Sequence, residues 1–200
     1  MMKMFATLAA LAALAAAPAA AAPVVGQPAP AFTATDSNGK THSLSDFRGK
    51  TVVLEWFNPE CPFVVKFYQP GAMQKLQAEA RRNDVVWLVV NSGAPGKQGH
   101  MTPQQANAYM SQNGVAATAF IPDPKGTIGR AYDAKTTPHM FVIDPQGTLV
   151  YAGGIDDIPS ADSADIARAR NHVTAALADL RAGRPVATPT SRPYGCSVKY

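Results

Sequence analysis

The sequence predicts an α/β fold: a central mixed β-sheet flanked by helices, with a β-hairpin extension at its N-terminal side. Three observations carry this expectation. Residues 51–57 (Thr-Val-Val-Leu-Glu-Trp-Phe) and 85–90 (Val-Val-Trp-Leu-Val-Val) are nearly continuous apolar runs, as expected of strands buried on both faces. Between and beyond them lie stretches whose apolar residues recur at helical spacing. Two turn signals, Asn38-Gly39 and Asp144-Pro145-Gln146-Gly147, sit between short β-prone segments and mark hairpins. Strands alternating with helices pack as layers around a sheet, here of roughly five to seven strands.

Each element follows from local chemistry. Residues 23–30 form a Pro-rich lead-in. Residues 31–35 and 41–44 are short strands about Ser37-Asn38-Gly39-Lys40, and 45–50 turn into the central strand 51–57. Asn58-Pro59 breaks that strand, and a helix restarts with Cys61 and Pro62, proline being suited to a first helical turn. Val64, Tyr68, Ala72, Leu76 and Ala80 share one face, so this helix is expected to reach about residue 82, kinked at Pro70-Gly71. After strand 85–90 comes a Gly-rich loop, 91–101. Thr102 caps a helix opening at Pro103 and ending near Gly114. A strand at 117–121, a helix at 126–132 and strands at 139–143 and 148–152 follow. Residues 163–180 read as one last helix with Ile166, Ala169, Val173, Leu177 and Leu180 in a stripe, stopped by Gly183 and Pro185. Residues 186–200 have no period and read as a tail.

The chain has 200 residues, 46% of them hydrophobic, enough for one domain with a full core. A net charge of +4 is spread thinly, with no basic run longer than Arg81-Arg82, so no nucleic-acid footprint is expected. Lys3, the apolar stretch 5–17 and the small residues 19–22 make the three parts of a secretory signal. The expected organisation is a signal peptide at 1–22, one domain at 23–183 and a tail at 184–200 carrying Cys196. The mature protein is expected to have no membrane span and to be periplasmic or secreted; an uncleaved N-terminal anchor is the alternative. Disulfides persist in that compartment.

The chain has two cysteines, Cys61 and Cys196, with no Cys-x-x-Cys and no zinc-type cluster. Cys61 opens a helix, where unpaired N–H groups and the helix dipole favour the thiolate, the nucleophilic form. Cys196 admits three readings: a resolving thiol for Cys61, one end of a permanent staple worth about 5 kcal/mol on the chain-entropy account, or a sulfur that never meets Cys61. Glu55 lies in mid-strand six residues before Cys61. Buried, it would have a raised pKa and could act as a base near neutrality; otherwise it is exposed or paired with Lys66. Asn58 can hydrogen-bond the thiolate or a bound oxygen, or serve only the turn before Pro59. Neither an organic cofactor nor a metal is expected.

Four motifs give the chain a resemblance to the thioredoxin-like superfamily, in its redoxin and peroxiredoxin-like (alkyl hydroperoxide reductase/thiol-specific antioxidant-like) branch. They are the opening Gly26-Gln27-Pro28-Ala29-Pro30-Ala31-Phe32 with Asp36–Lys40 and Leu44–Lys50; the strand and loop from Val53 to Cys61; Thr137-Pro138 before 139–144; and the Asp144–Gly147 hairpin. The ending Gly195-Cys196-Ser197-Val198-Lys199-Tyr200 is similar to that of a peroxiredoxin-like subgroup. The resemblance implies a thioredoxin-like fold with Cys61 as reactive cysteine. It implies a cis bond before Pro138 in a loop that presents backbone, through Thr137, to an extended substrate and keeps metals off the sulfur. It also implies a proton-transfer role for Glu55. The chain departs from the thioredoxin pattern at Val64, where a second cysteine would stand. It departs from the peroxiredoxin pattern at Asn58, where Thr or Ser would stand, and at the Thr137-Pro138 loop, where an Arg is usual.

The expected function is an exported thiol-disulfide oxidoreductase. Cys61 attacks, Cys196 resolves, Glu55 manages protons and Thr137-Pro138 positions a thiol or disulfide protein, with an external thioredoxin-like reductant. The alternatives are a thiol peroxidase acting on a peroxide, a non-catalytic binding module with a structural disulfide, and a copper chaperone using Cys61 and His139. Known chaperones of that fold carry a second nearby cysteine, and Val64 and Val65 supply none.

Overall fold

The computed structural model describes residues 22–200, so the expected signal peptide falls, apart from residue 22, outside the described part. Strands β1 (Thr33–Thr35) and β2 (Thr41–Ser43) pair antiparallel as the expected N-terminal hairpin. Then follow β3 (Val52–Trp56), α1 (Pro62–Tyr68), α2 (Ala72–Arg82), β4 (Val86–Asn91), α3 (Pro103–Gln112), β5 (Ala119–Pro122) and α4 (Thr127–Ala131). The chain closes with β6 (Thr136–Thr137), β7 (His139–Ile143), β8 (Leu149–Gly153), α5 (His172–Arg181) and β9 (Cys196–Ser197). The main sheet has five strands in the order β5-β4-β3-β7-β8. β3, β4 and β5 run parallel, while β7 and β8 are antiparallel additions on the other side of β3.

β3 and β4 are buried at every position, which is why their sequences read as unbroken apolar runs. Alternation along the pleat sends Val52, Leu54 and Trp56 to one core with Tyr132, Phe141 and the N-terminal hairpin. Val53 and Phe57 go to the other core with α1, α2, α5 and Cys61. Glu55 has the parity of Val53 and faces the same helices. The α3 cap is as read: Thr102 Oγ1 accepts from Gln105 N, and Gln105 Oε1 accepts from Thr102 N at 2.8 Å.

Three expectations are corrected. The helix foreseen over 61–82 is two helices, separated where Gly71 adopts φ = +78°, a left-handed conformation that the sequence Pro70-Gly71 permits without a Cβ penalty. The last helix is not continuous over 163–180. Ser163–Ala167 is a 3₁₀ turn capped by Asp162, and α5 begins afresh after Asn171, whose Oδ1 accepts from Thr174 N at 2.8 Å. A local cap competes with a stripe that would otherwise run through. Third, the tail is not structureless. It runs along β8 through an Ala152–Thr190 bridge, and β9 pairs antiparallel with β6, Thr137 opposite Cys196.

Candidate active site

The site forms where β3 hands over to α1. Past Trp56 the chain turns at Asn58, whose Oδ1 accepts from Glu60 N at 2.8 Å. This side chain serves the turn, and among the described residues it makes no hydrogen bond to Cys61. Cys61 is the N-cap of α1, in extended backbone (φ −80°, ψ 120°), with Pro62 at the first helical position. Its carbonyl accepts from Val64 N and Val65 N, and its side chain is 0% exposed.

The Thr137–Pro138 bond is cis, in keeping with the resemblance, and the loop faces Cys61. As a thiol, Cys61 Sγ donates to the Thr137 carbonyl at 3.0 Å. The tail approaches from the other side, with Cys196 N donating to Cys61 Sγ at 3.4 Å. Both cysteines are free thiols. Burial pushes the Cys61 pKa up, but the Cys196 thiol, the Thr137 side chain and the N–H groups of Cys196 and Val64 outweigh it and hold the pKa below the ordinary thiol value. Burial, and after it the neighbouring Cys61 side chain, push Cys196 the other way, to about 11. One sulfur is thus poised to ionise and the other to stay protonated.

Glu55 is fully buried. Its carboxylate accepts from Tyr68 OH (2.8 Å), Gln77 Nε2 (3.0 Å) and Trp87 Nε1 (2.8 Å). Burial pushes its pKa up to about 7 although all three donors oppose the shift. The alternative of an exposed or Lys66-paired Glu55 is overturned: Lys66 lies elsewhere, its Nζ 3.2 Å from Asp156 Oδ2. Among the described residues Glu55 makes no hydrogen bond to Cys61. His139 is buried, which depresses its pKa to about 4, and its Nδ1 accepts from Lys135 N. No cluster of three or more His, Cys, Asp or Glu with metal-binding geometry occurs among the described residues. Sequence reasoning missed Tyr68, Gln77 and Trp87 around Glu55, and the contacts that seat the tail. An aromatic residue and a glycine directly before Cys196 were the available signal.

A five-stranded sheet of this order, with a cysteine capping the helix after its central strand and a cis-proline opposite, defines a thioredoxin-like fold. The chain belongs to the AhpC/TSA family, whose profile matches residues 25–152. That span holds Glu55, Asn58, Cys61, Thr137 and Pro138 and ends before the tail. The chain is 29% identical over 125 residues to the thiol-disulfide oxidoreductase ResA of Geobacillus kaustophilus, covering 62% of this chain and 66%, just under two thirds, of that protein. It is 32% identical over 139 residues to a Synechocystis protein whose name assigns it provisionally to the peroxiredoxins, covering 64% of this chain and 67% of that one. A solved Sinorhizobium meliloti structure has the same fold, with a TM-score of 0.75 at 22% identity, covering 90% of this chain and 96% of that one. No helix among the described residues is long and apolar enough to cross a membrane.

Proposed function

We propose that the protein is an exported thiol-disulfide oxidoreductase with Cys61 as nucleophile and Cys196 as resolving thiol. The observation that carries this reading is the placement of Cys196 opposite Thr137, its N–H on the Cys61 sulfur. Similarity to ResA supports the reaction class, and the N-terminal signal pattern supports export.

The Cys61 thiolate attacks one sulfur of a partner's disulfide, forming a mixed disulfide and releasing the partner's other sulfur as a thiolate. With the charge on Cys61 consumed, burial still raises Cys196 but the contribution of Cys61 is gone, so its thiol ionises more readily. Cys196 then attacks Cys61 Sγ. The Cys61–Cys196 disulfide forms, the partner leaves with a second thiolate, and the protons of Cys61 and Cys196 end on the partner's two sulfurs. Two electrons pass from this chain to the partner. An external thioredoxin-like dithiol returns them, and the same steps reversed oxidise a dithiol. Thr137 and Pro138 supply the backbone edge that aligns the partner. Glu55, at about 7, is the proton reservoir on the Cys61 side of the sheet. Asn58 shapes the loop that carries the sulfur.

The test is turnover of a disulfide-bonded peptide by the reduced protein. Cys61→Ser is expected to be inactive, and Cys196→Ser to stop at a mixed disulfide on Cys61 that mass spectrometry detects. Turnover in Cys61→Ser, or full turnover without Cys196, would overturn the assignment. The Synechocystis relative favours peroxide as a second oxidant. Consumption of hydrogen peroxide with no exchange on the peptide would replace the first reading with that one.

A further inference from the structure

The tail does more than bring a thiol to Cys61. Cys196-Ser197 fills the free edge of β6, where a substrate's extended backbone would pair, and Cys61 beneath it is 0% exposed. No external sulfur reaches Cys61 while β9 is seated. β9 is held on both sides. Downstream, Val198 N donates to the Lys135 carbonyl at 3.0 Å, Ala94 N to the Lys199 carbonyl at 2.8 Å and Tyr200 OH to the Ala134 carbonyl at 2.9 Å. Upstream it is held by a buried polar cluster. Tyr194 OH donates to Asp156 Oδ1; Lys66 Nζ bonds Asp156 Oδ2 at 3.2 Å and the Ile158 carbonyl at 3.1 Å, and lies 3.5 Å from Tyr194 OH. The Lys66 and Asp156 side chains are 0% and 2% exposed. The Tyr194 ring packs edge-on against Phe63, two residues past Cys61, with centroids 5.8 Å apart, and Lys66 Nζ lies 5.6 Å from the ring centroid. Lys66 and Phe63 belong to the helix that Cys61 caps, so the cluster ties the tail to the nucleophile's own element. Gly195 completes the fit: at φ = +133° a Cβ there would collide with the Thr137 carbonyl oxygen.

We propose that Tyr194, bonded to the buried Lys66–Asp156 pair, is a positioning residue: it latches the C-terminal strand over Cys61, and release of this latch admits the external partner. The partner then takes the vacated β6 edge as an extended cysteine-bearing segment. The tail must reseat to bring Cys196 back for resolution. The latch therefore sets both entry and return. The inference rests on the oxidoreductase reading for its role in turnover, but the gating itself can be measured without turnover.

The experiment uses the reduced mature chain and follows alkylation of Cys61 by a bulky polyethylene-glycol maleimide, read on the Cys61 peptide by mass spectrometry across pH. The pH profile separates ionisation of the thiol from access to it. Tyr194→Phe removes one hydroxyl and leaves Asp156 bonded to Lys66 and to Ile158 N. Losing a hydrogen bond to a charged group is expected to raise the open fraction, and with it the limiting alkylation rate, by about 10- to 100-fold. Gly195→Ala is expected to do the same without touching the cluster. An unchanged rate in Tyr194→Phe would overturn the proposal whatever Gly195→Ala does, as would a rise no larger than the loss of global stability in urea explains. Faster alkylation in the variants, with no disulfide turnover by any chain, keeps the latch and rejects the oxidoreductase reading.

Discussion

Replacing Glu55 by Gln isolates the buried acid on the Cys61 side of the sheet. Glu55 is 0% exposed and held at about 7, against 4.5 for an ordinary carboxyl. Between those two pH values the native state keeps a proton that the unfolded chain has lost, so the native state binds more protons. Stability contributed by this group is therefore fully present below about pH 4.5 and lost as pH rises toward 7. A shift of this size corresponds to about 3 kcal/mol, each pKa unit being worth about 1.4 kcal/mol. His139 works in the opposite sense. Its pKa, lowered from 6.5 to about 4, makes the native state gain stability as pH rises through that range, so the wild-type curve hides both effects. The difference between variant and wild type removes His139. Gln reproduces the protonated acid, keeping an oxygen for Gln77 and Trp87 and offering an N–H to Tyr68. Urea unfolding at several values from pH 4.5 to 8 is expected to show Glu55→Gln gaining on wild type, by about 3 kcal/mol over that range. A difference that stays flat with pH would show that Glu55 titrates alike in folded and unfolded chains, and the reasoning would fail. The same variant is expected to lose any inflection near pH 7 in the disulfide-exchange profile.

Other outcomes follow from single contacts. Lys66→Met strands a buried carboxylate and is expected to lower stability by about 3–5 kcal/mol in urea titration, with Asp156→Asn restoring part of it in the double variant. Thr102→Ala removes one half of a capping box and should lower stability by about 1 kcal/mol. Val64 lies one helical turn from Cys61 and is 1% exposed. Val64→Cys, added to Cys196→Ser, is expected to supply a local resolving thiol, so that the trapped mixed disulfide disappears and turnover returns.

Much of the fold was readable because its signals are local. Val86–Asn91 and Val52–Trp56 announce themselves as apolar runs, Thr102 and Pro103 as a helix start, and Asn38-Gly39 as a turn. Cys61 was legible for the same reason, since its neighbour Pro62 fixes where the helix begins. The cis bond at Pro138 came from resemblance; no local pattern in Thr137-Pro138 carries it. The tail's seat was not legible. β9 is two residues long, too short for any period, and its partners lie 59 and more positions away. Lys66 and Asp156 are 90 residues apart, and nothing in either neighbourhood marks a buried pair. The stripe in 163–180 misled because Asn171 caps a new helix inside it. Long-range polar contacts and local caps leave no hydrophobic periodicity, and these are the features that complete the site.

The most direct test is a redox titration of the protein in glutathione buffers, with the Cys61–Cys196 linkage quantified by mass spectrometry. The account predicts that this bond forms and opens with a midpoint of about −120 to −270 mV, the range of working thiol-disulfide exchangers. A bond that never forms, or one that stays closed below about −300 mV as structural disulfides do, would contradict it.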